Sequence, residues 1–206
     1  MIQKHLGFGG QKEKYYQSSA VHNSICQIHF KSVSSNEANL VISELRYGPF
    51  GTGPTRNGRR VGGSPFTAIG PFAKISIKTM RFGNNQYPIV KGIKTESNDG
   101  TVQTFGMHQY ERAGVRELVV PQGEHISGVK LRYGWFIDQL GFVTNTSRQL
   151  GPVGRTSGGH SETVPRNIDS GRTLISIEGE LVNWTGTEIM TRLKFTFAGK
   201  KENTYE

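Results

Sequence analysis

The chain has 206 residues, with 25 Lys and Arg against 16 Asp and Glu, for a net charge of +9. Only 34% of the residues are hydrophobic, and no run reaches the roughly 18 apolar residues that a membrane-spanning helix needs. The single cysteine, Cys26, excludes a disulfide framework and a thiolate metal site, and the basic balance favours anionic partners such as nucleic acid, acidic lipid or sulfated polysaccharide. A well-solvated basic surface with no dedicated partner fits the same numbers.

The N-terminus, MIQKHLGFGGQKEKYYQ, lacks the apolar stretch of a signal peptide. That is expected of a cytosolic chain, or of one that begins after processing. Residues 1–24 read as a polar arm, or as an edge strand if Tyr15 and Tyr16 dock. Ile25–Lys31 and Leu40–Tyr47 read as strands around the polar loop SVSSNEAN, with Cys26 as an inert buried thiol. Tyr47-Gly48-Pro49-Phe50-Gly51 ends this hairpin. Thr52–Gly63, TGPTRNGRRVGG, reads as a loop rich in glycine and arginine.

Ala73–Met80 is the next predicted strand, followed by a turn over Arg81–Asn85 and a strand over Ile89–Thr95. Asn98-Asp99-Gly100 is a turn. Val102–Gly106 and Leu118–Val120 are short strands. In the central stretch Val129, Leu131 and Tyr133 alternate with Lys130 and Arg132, the period-two pattern of a strand with one buried face. Gly134-Trp135-Phe136-Ile137-Asp138 reads as the turn into a second strand, Leu140–Val143. Gly151-Pro152-Val153-Gly154 reads as a strand break, and Ser157-Gly158-Gly159 as a flexible loop. Past Gly159 the chain is polar to Gly171, and Leu174–Ile177 and Met190–Phe197 are the last strands.

Similar strand–turn–strand units thus recur at 73–95, 126–143 and 174–197, a weak internal repeat that implies pseudo-symmetry. The 27 glycines and scarce helical periodicity suit an all-β chain. Inward-facing candidates are Ile75, Ile77, Ile89, Ile93, Val129, Leu131, Leu140, Phe142, Leu174, Ile177, Leu193 and Phe195. The central hairpin combines an acidic side chain at a turn with a loop of bare backbone N–H groups. Such a pair suits a neutral polyol: the carboxylate accepts from adjacent hydroxyls and the amides donate to their lone pairs.

The ordered elements G-E-H-I-S, G-x-x-x-D, T-N, G-P-x-G and G-G between Gly123 and Gly159 resemble the jacalin-related lectins, nearest in motif order to an algal member of that family. The resemblance runs from about Tyr47 to Phe197 and implies a β-prism I fold, three Greek-key sheets with pseudo-threefold symmetry, here with an N-terminal β extension. It divides the chain into an extension at 1–46, a lectin domain at 47–198 and a polar tail at 199–206. It also implies one metal-independent mannose- or glucose-type site with no cofactor. There Asp138 accepts from two ring hydroxyls and the N–H groups of Phe136 and Ile137 donate. Trp135 or Phe136 packs on the ring, Gly134 opens the turn, and Gly158 or Gly159 presents a further N–H. Taken alone, G-x-x-x-D also describes an aspartate that caps a β-turn.

By the same resemblance GGSPF is the first glycine loop, and Lys91 and Thr191 stand near the acid's position in the other two hairpins. Neither can replace a carboxylate, since lysine only donates. A basic surface at Arg56, Arg59, Arg60, Lys74, Lys78 and Lys91 gives the alternative expectation, a binder of sulfated or acidic polysaccharide. A structural or adhesive module is a third. Six scattered histidines and an unpaired Asp138 supply neither a metal ligand set nor a catalytic pair, so no enzyme is expected. Nucleic acid is disfavoured by the absence of aromatics interleaved with the cations. Glycans are the expected partners, through a homo-oligomer, with a weak lean to an extracellular setting. Asn145-Thr146-Ser147 and Asn183-Trp184-Thr185 are glycosylation sequons, relevant only outside the cell.

Overall fold

A computed structural model describes residues 6–8, 11–13, 15–19, 25–32, 41–81, 87–108 and 112–200, with side chains from 44 to 199. Phe82 to Asn85 of the expected turn, the loop at 33–39, the side chain of Cys26 and the tail beyond residue 200 lie outside these residues. Every regular element among the described residues is a strand.

Twelve strands build the body: β1 (Val41–Phe50), β2 (Ser64–Ile69), β3 (Phe72–Arg81), β4 (Pro88–Ser97), β5 (Val102–Phe105), β6 (Val115–Val119), β7 (Ile126–Tyr133), β8 (Ile137–Thr144), β9 (Gln149–Gly154), β10 (His160–Val164), β11 (Arg172–Trp184) and β12 (Thr187–Lys200). The first sheet has the order β5-β4-β3-β6 and the second β9-β8-β7-β10. Each is a Greek key, in which a hairpin is flanked by the two strands that follow it. The third sheet, β1-β12-β11-β2, has the same arrangement. Its hairpin comes from the end of the chain and its outer strands from the beginning, so the sheet closes the molecule. Beyond β1 it continues through Ile25–Ser32 and Tyr15–Ser19 to six strands. Three such keys match the architecture expected from the resemblance.

Period-two patterning explains the strands and what they bury. Ile75 and Ile77 of β3, Val129 and Leu131 of β7, and Ile177 of β11 face inward, and all twelve inward candidates from the sequence are buried. Aromatic rings lock the sheets together. Phe50 lies 5.5 Å from Tyr133 and 6.0 Å from Phe195, joining the second and third sheets. Phe66 stacks on Phe105 at 4.7 Å, joining the third to the first. Gly179 makes room for the Phe66 ring, which a methyl group there would overlap.

Several sequence expectations need correction. The turn at 134–138 is shorter: Gly134 to Phe136 reverse the chain, and Ile137 and Asp138 already belong to β8. The Gly151-Pro152-Val153-Gly154 segment does not end a strand but lies within β9. A proline fits there because β9 is an edge, where a missing N–H costs no ladder bond. The polar run after Gly159 contains β10, another edge strand with little to bury. The last two strands are far longer than their apolar cores suggest, at 13 and 14 residues. The Thr52–Gly63 loop contains a short hairpin, Thr55–Arg56 against Arg59–Arg60, and β2 follows it.

Candidate functional site

Each sheet's central hairpin carries one extra residue at a corresponding place. In the second sheet Tyr133 pairs with Ile137 and Arg132 with Gln139, which leaves Asp138 as a bulge. In the first, Thr79 pairs with Val90 and Lys78 with Gly92, leaving Lys91. In the third, Leu181 pairs with Met190 and Glu180 with Arg192, leaving Thr191. A bulge unpairs one residue and re-aims its side chain, so the three residues occupy equivalent positions.

The surroundings repeat as well. A glycine at positive φ lies against the bulged residue's carbonyl in every sheet: Gly154 on Asp138, Gly106 on Lys91 and Gly51 on Thr191. Any side chain at these glycines would overlap that oxygen. A second glycine packs one residue further out. A methyl group on Gly159 would lie 2.7 Å from the Tyr133 carbonyl oxygen, one on Gly114 3.1 Å from that of Thr79, and one on Gly63 2.5 Å from that of Leu181.

At the second sheet these parts converge on a carboxylate. A methyl group on Gly159 would stand 2.6 Å from Asp138 Oδ2, and one on Gly134 would stand 3.9 Å from it. The glycine loop and the turn therefore face the acid from two sides. The turn is closed by Gly134 N–H donating to the Phe136 carbonyl at 2.9 Å. The chain after β1 seats it, with the Thr52 N–H donating to Gly134 O at 3.0 Å and the Gly53 N–H to Trp135 O at 3.1 Å. Trp135 is exposed, Phe136 is half-buried and Ile137 points into the core. Burial raises the Asp138 carboxyl above its usual range, opposed by the nearby Arg155 and Arg132 guanidinium groups. Arg132 Nη1 donates to Gly158 O at 3.1 Å, and the Arg155 N–H donates to Asp138 O at 2.8 Å. The Arg155 guanidinium lies 4.6 Å from the ring of Tyr87, brought over from the first sheet. Nothing local to Arg132, Arg155 or Tyr87 in the sequence signals that they meet.

The other two ends differ chemically. In the first sheet Lys78 is buried and donates to Ala113 O, just before Gly114, as Arg132 donates to Gly158 O just before Gly159. Lys78 is a clamp on its loop, and Lys74 is paired with Glu96 at 2.8 Å. Lys91 lines a cleft of about 630 Å³ with Phe105, His108 and Glu188. In the third sheet Thr191 is fully buried and its hydroxyl donates to Glu180 O at 3.3 Å. Arg60 pairs with Glu180, and Arg56 lies over Trp184 at 5.6 Å. The six basic residues grouped by the sequence therefore do not form one surface, and Lys74, Lys78, Arg60 and Arg56 are each engaged within the protein. Among the described residues no three His, Cys, Asp or Glu side chains converge to hold a metal ion.

Comparison with known proteins bears on the family and the fold. The family model of the Jacalin-like lectin domain matches residues 55–183. No curated protein matches the chain by sequence. Among solved structures, a prostate-specific WGA16 glycoprotein lectin aligns with a TM-score of 0.54 at 19% identity, covering 72% of this chain and 99% of that one. Calsepa lectin in complex with a biantennary N-glycan gives 0.52 at 18%, covering 82% and 100%. A mannose-binding lectin from Champedak gives 0.50 at 13%, covering 78% and 98%. At these identities the likeness is one of fold.

Proposed function

The chain belongs to the jacalin-like lectin domain family, and from that premise we propose that it binds a mannose- or glucose-type hexose at the end of the second sheet, around Asp138. The domain is a carbohydrate binder and not an enzyme. The observation that carries the finer reading is the placement of the bulged Asp138 carboxylate between the Gly134 turn and the Gly159 loop. Ionised, it accepts from two neighbouring ring hydroxyls. The backbone of Phe136 and Ile137, and of Gly158 or Gly159, supplies donors to the remaining oxygens, with no metal required. Exposed Trp135 offers an apolar face to the ring. The mannose-binding and N-glycan-bound lectins with the same fold support this choice of sugar.

The equivalent positions held by Lys91 and Thr191 lack an acceptor carboxylate, so this reading gives each chain one hexose site. One shallow site binds weakly, and presentation on a homo-oligomer would raise its avidity. Calorimetric titration with methyl mannoside and methyl glucoside tests the proposal. Asp138→Ala removes two charge-assisted hydrogen bonds and should weaken binding by about 100-fold or more. Retention of parental affinity by that variant would place the sugar elsewhere.

A further inference from the structure

The end of the third sheet holds Thr191 where the second holds Asp138, and the hairpin beside it carries Arg56, Arg59 and Arg60. The hairpin Thr55–Arg60 turns at Asn57-Gly58, both at positive φ, as a two-residue hairpin turn requires. Its register sets Arg56 directly opposite Arg59. Two like charges facing each other across strands are unfavourable unless an anion lies between or beside them. The hairpin is nevertheless held in place, by Arg56 over Trp184 and by Arg60 paired with Glu180. Arg192 lies 3.9 Å from the same Glu180, and its buried Nε has no protein hydrogen-bond partner. Arg60 and Arg192 thus share one carboxylate, while Arg56 and Arg59 face each other from the other side of the same hairpin.

We propose that this hairpin at the end of the third sheet binds the sulfate ester or carboxylate group of an anionic polysaccharide, through Arg56 and Arg59, at a second site independent of Asp138. A guanidinium presents planar pairs of N–H donors that match such oxyanions. Single-stranded nucleic acid fits less well. It needs aromatic platforms for its bases, and the one aromatic residue named in the cluster, Trp184, is already covered by Arg56.

The test measures binding of heparin, of a single-stranded DNA oligonucleotide and of methyl mannoside to the full chain, Arg59→Glu, Arg56→Ala/Arg59→Ala and Asp138→Ala. The expected result is heparin binding that weakens as salt rises, falls about tenfold or more in both arginine variants, and is unchanged in Asp138→Ala. Mannoside binding by the arginine variants at the parental level shows that they are folded; if mannoside binds none of the proteins, an unchanged thermal midpoint serves instead. Heparin affinity that is unchanged in Arg59→Glu and in the double variant overturns the proposal. So does tighter binding of the oligonucleotide than of heparin.

Discussion

Gly159→Ala separates backbone strain from the geometry of the Asp138 site. Gly159 sits at φ +65, where an L-residue costs about 1–2 kcal/mol. Its new methyl group would stand 2.6 Å from Asp138 Oδ2 and 2.7 Å from Tyr133 O, well inside ordinary contact. The Tyr133 carbonyl is part of β7 and yields little. The Asp138 side chain can turn away, but that moves the proposed hydroxyl acceptor. The expected sum is about 2–4 kcal/mol of lost stability, combining strain with overpacking, together with at least a tenfold loss of mannoside affinity. Gly186→Ala is the matched control: its φ is +83, but a methyl group there meets nothing within 4 Å. It should show the strain alone. Urea unfolding at constant m-value gives the two stabilities, and calorimetry gives the two affinities. If both variants lose equal stability and Gly159→Ala binds sugar as the parent does, the loop does not pack on Asp138 as described.

Two further predictions follow from the same bulges. Burial raises the Asp138 carboxyl, so ionising it costs stability: the cost is absent below the ordinary aspartate range, builds as pH rises from there to the elevated value, and is complete above it. Asp138→Asn should therefore unfold at a higher urea midpoint than the parent at neutral pH, converge with it below about pH 4, and lose mannoside binding throughout. Gly51 stands against Thr191 O at φ +91, as Gly154 does against Asp138 O. Gly51→Ala should cost about 3 kcal/mol or more by urea unfolding, through strain plus backbone overlap, although Thr191 carries no acceptor carboxylate.

The hairpins of the first and second sheets were legible because their strands bury one face, and burial writes a period of two into the sequence. Ile75 and Ile77, or Val129 and Leu131, can be read directly. The strands β9 and β10 were not legible. They lie at sheet edges, so Gln149, His160 and Ser161 remain exposed and the alternation disappears. The same limit shortened β11 and β12, whose ends extend past the core. Gly134, Asp138 and Gly159 could be picked out because a turn, an acid and two glycines stand in a recognisable order.

What the sequence determined on its own was local: the strand periodicity, the glycines that only a left-handed or crowded backbone requires, and the chemical identity of Asp138, Lys91 and Thr191. The tertiary structure decided which residues meet. Pairing β7 with β8 through a bulge aims Asp138 at a loop that lies some twenty residues further along, and closing the third sheet brings Arg60 to Glu180, 120 residues away. It also separated the basic residues, turning Lys78 into a clamp and Lys74 into an ion-pair partner while leaving the Arg56–Arg59 hairpin at another edge. Periodicity records which side of a strand is buried, but a charge carries no record of the distant group that will face it.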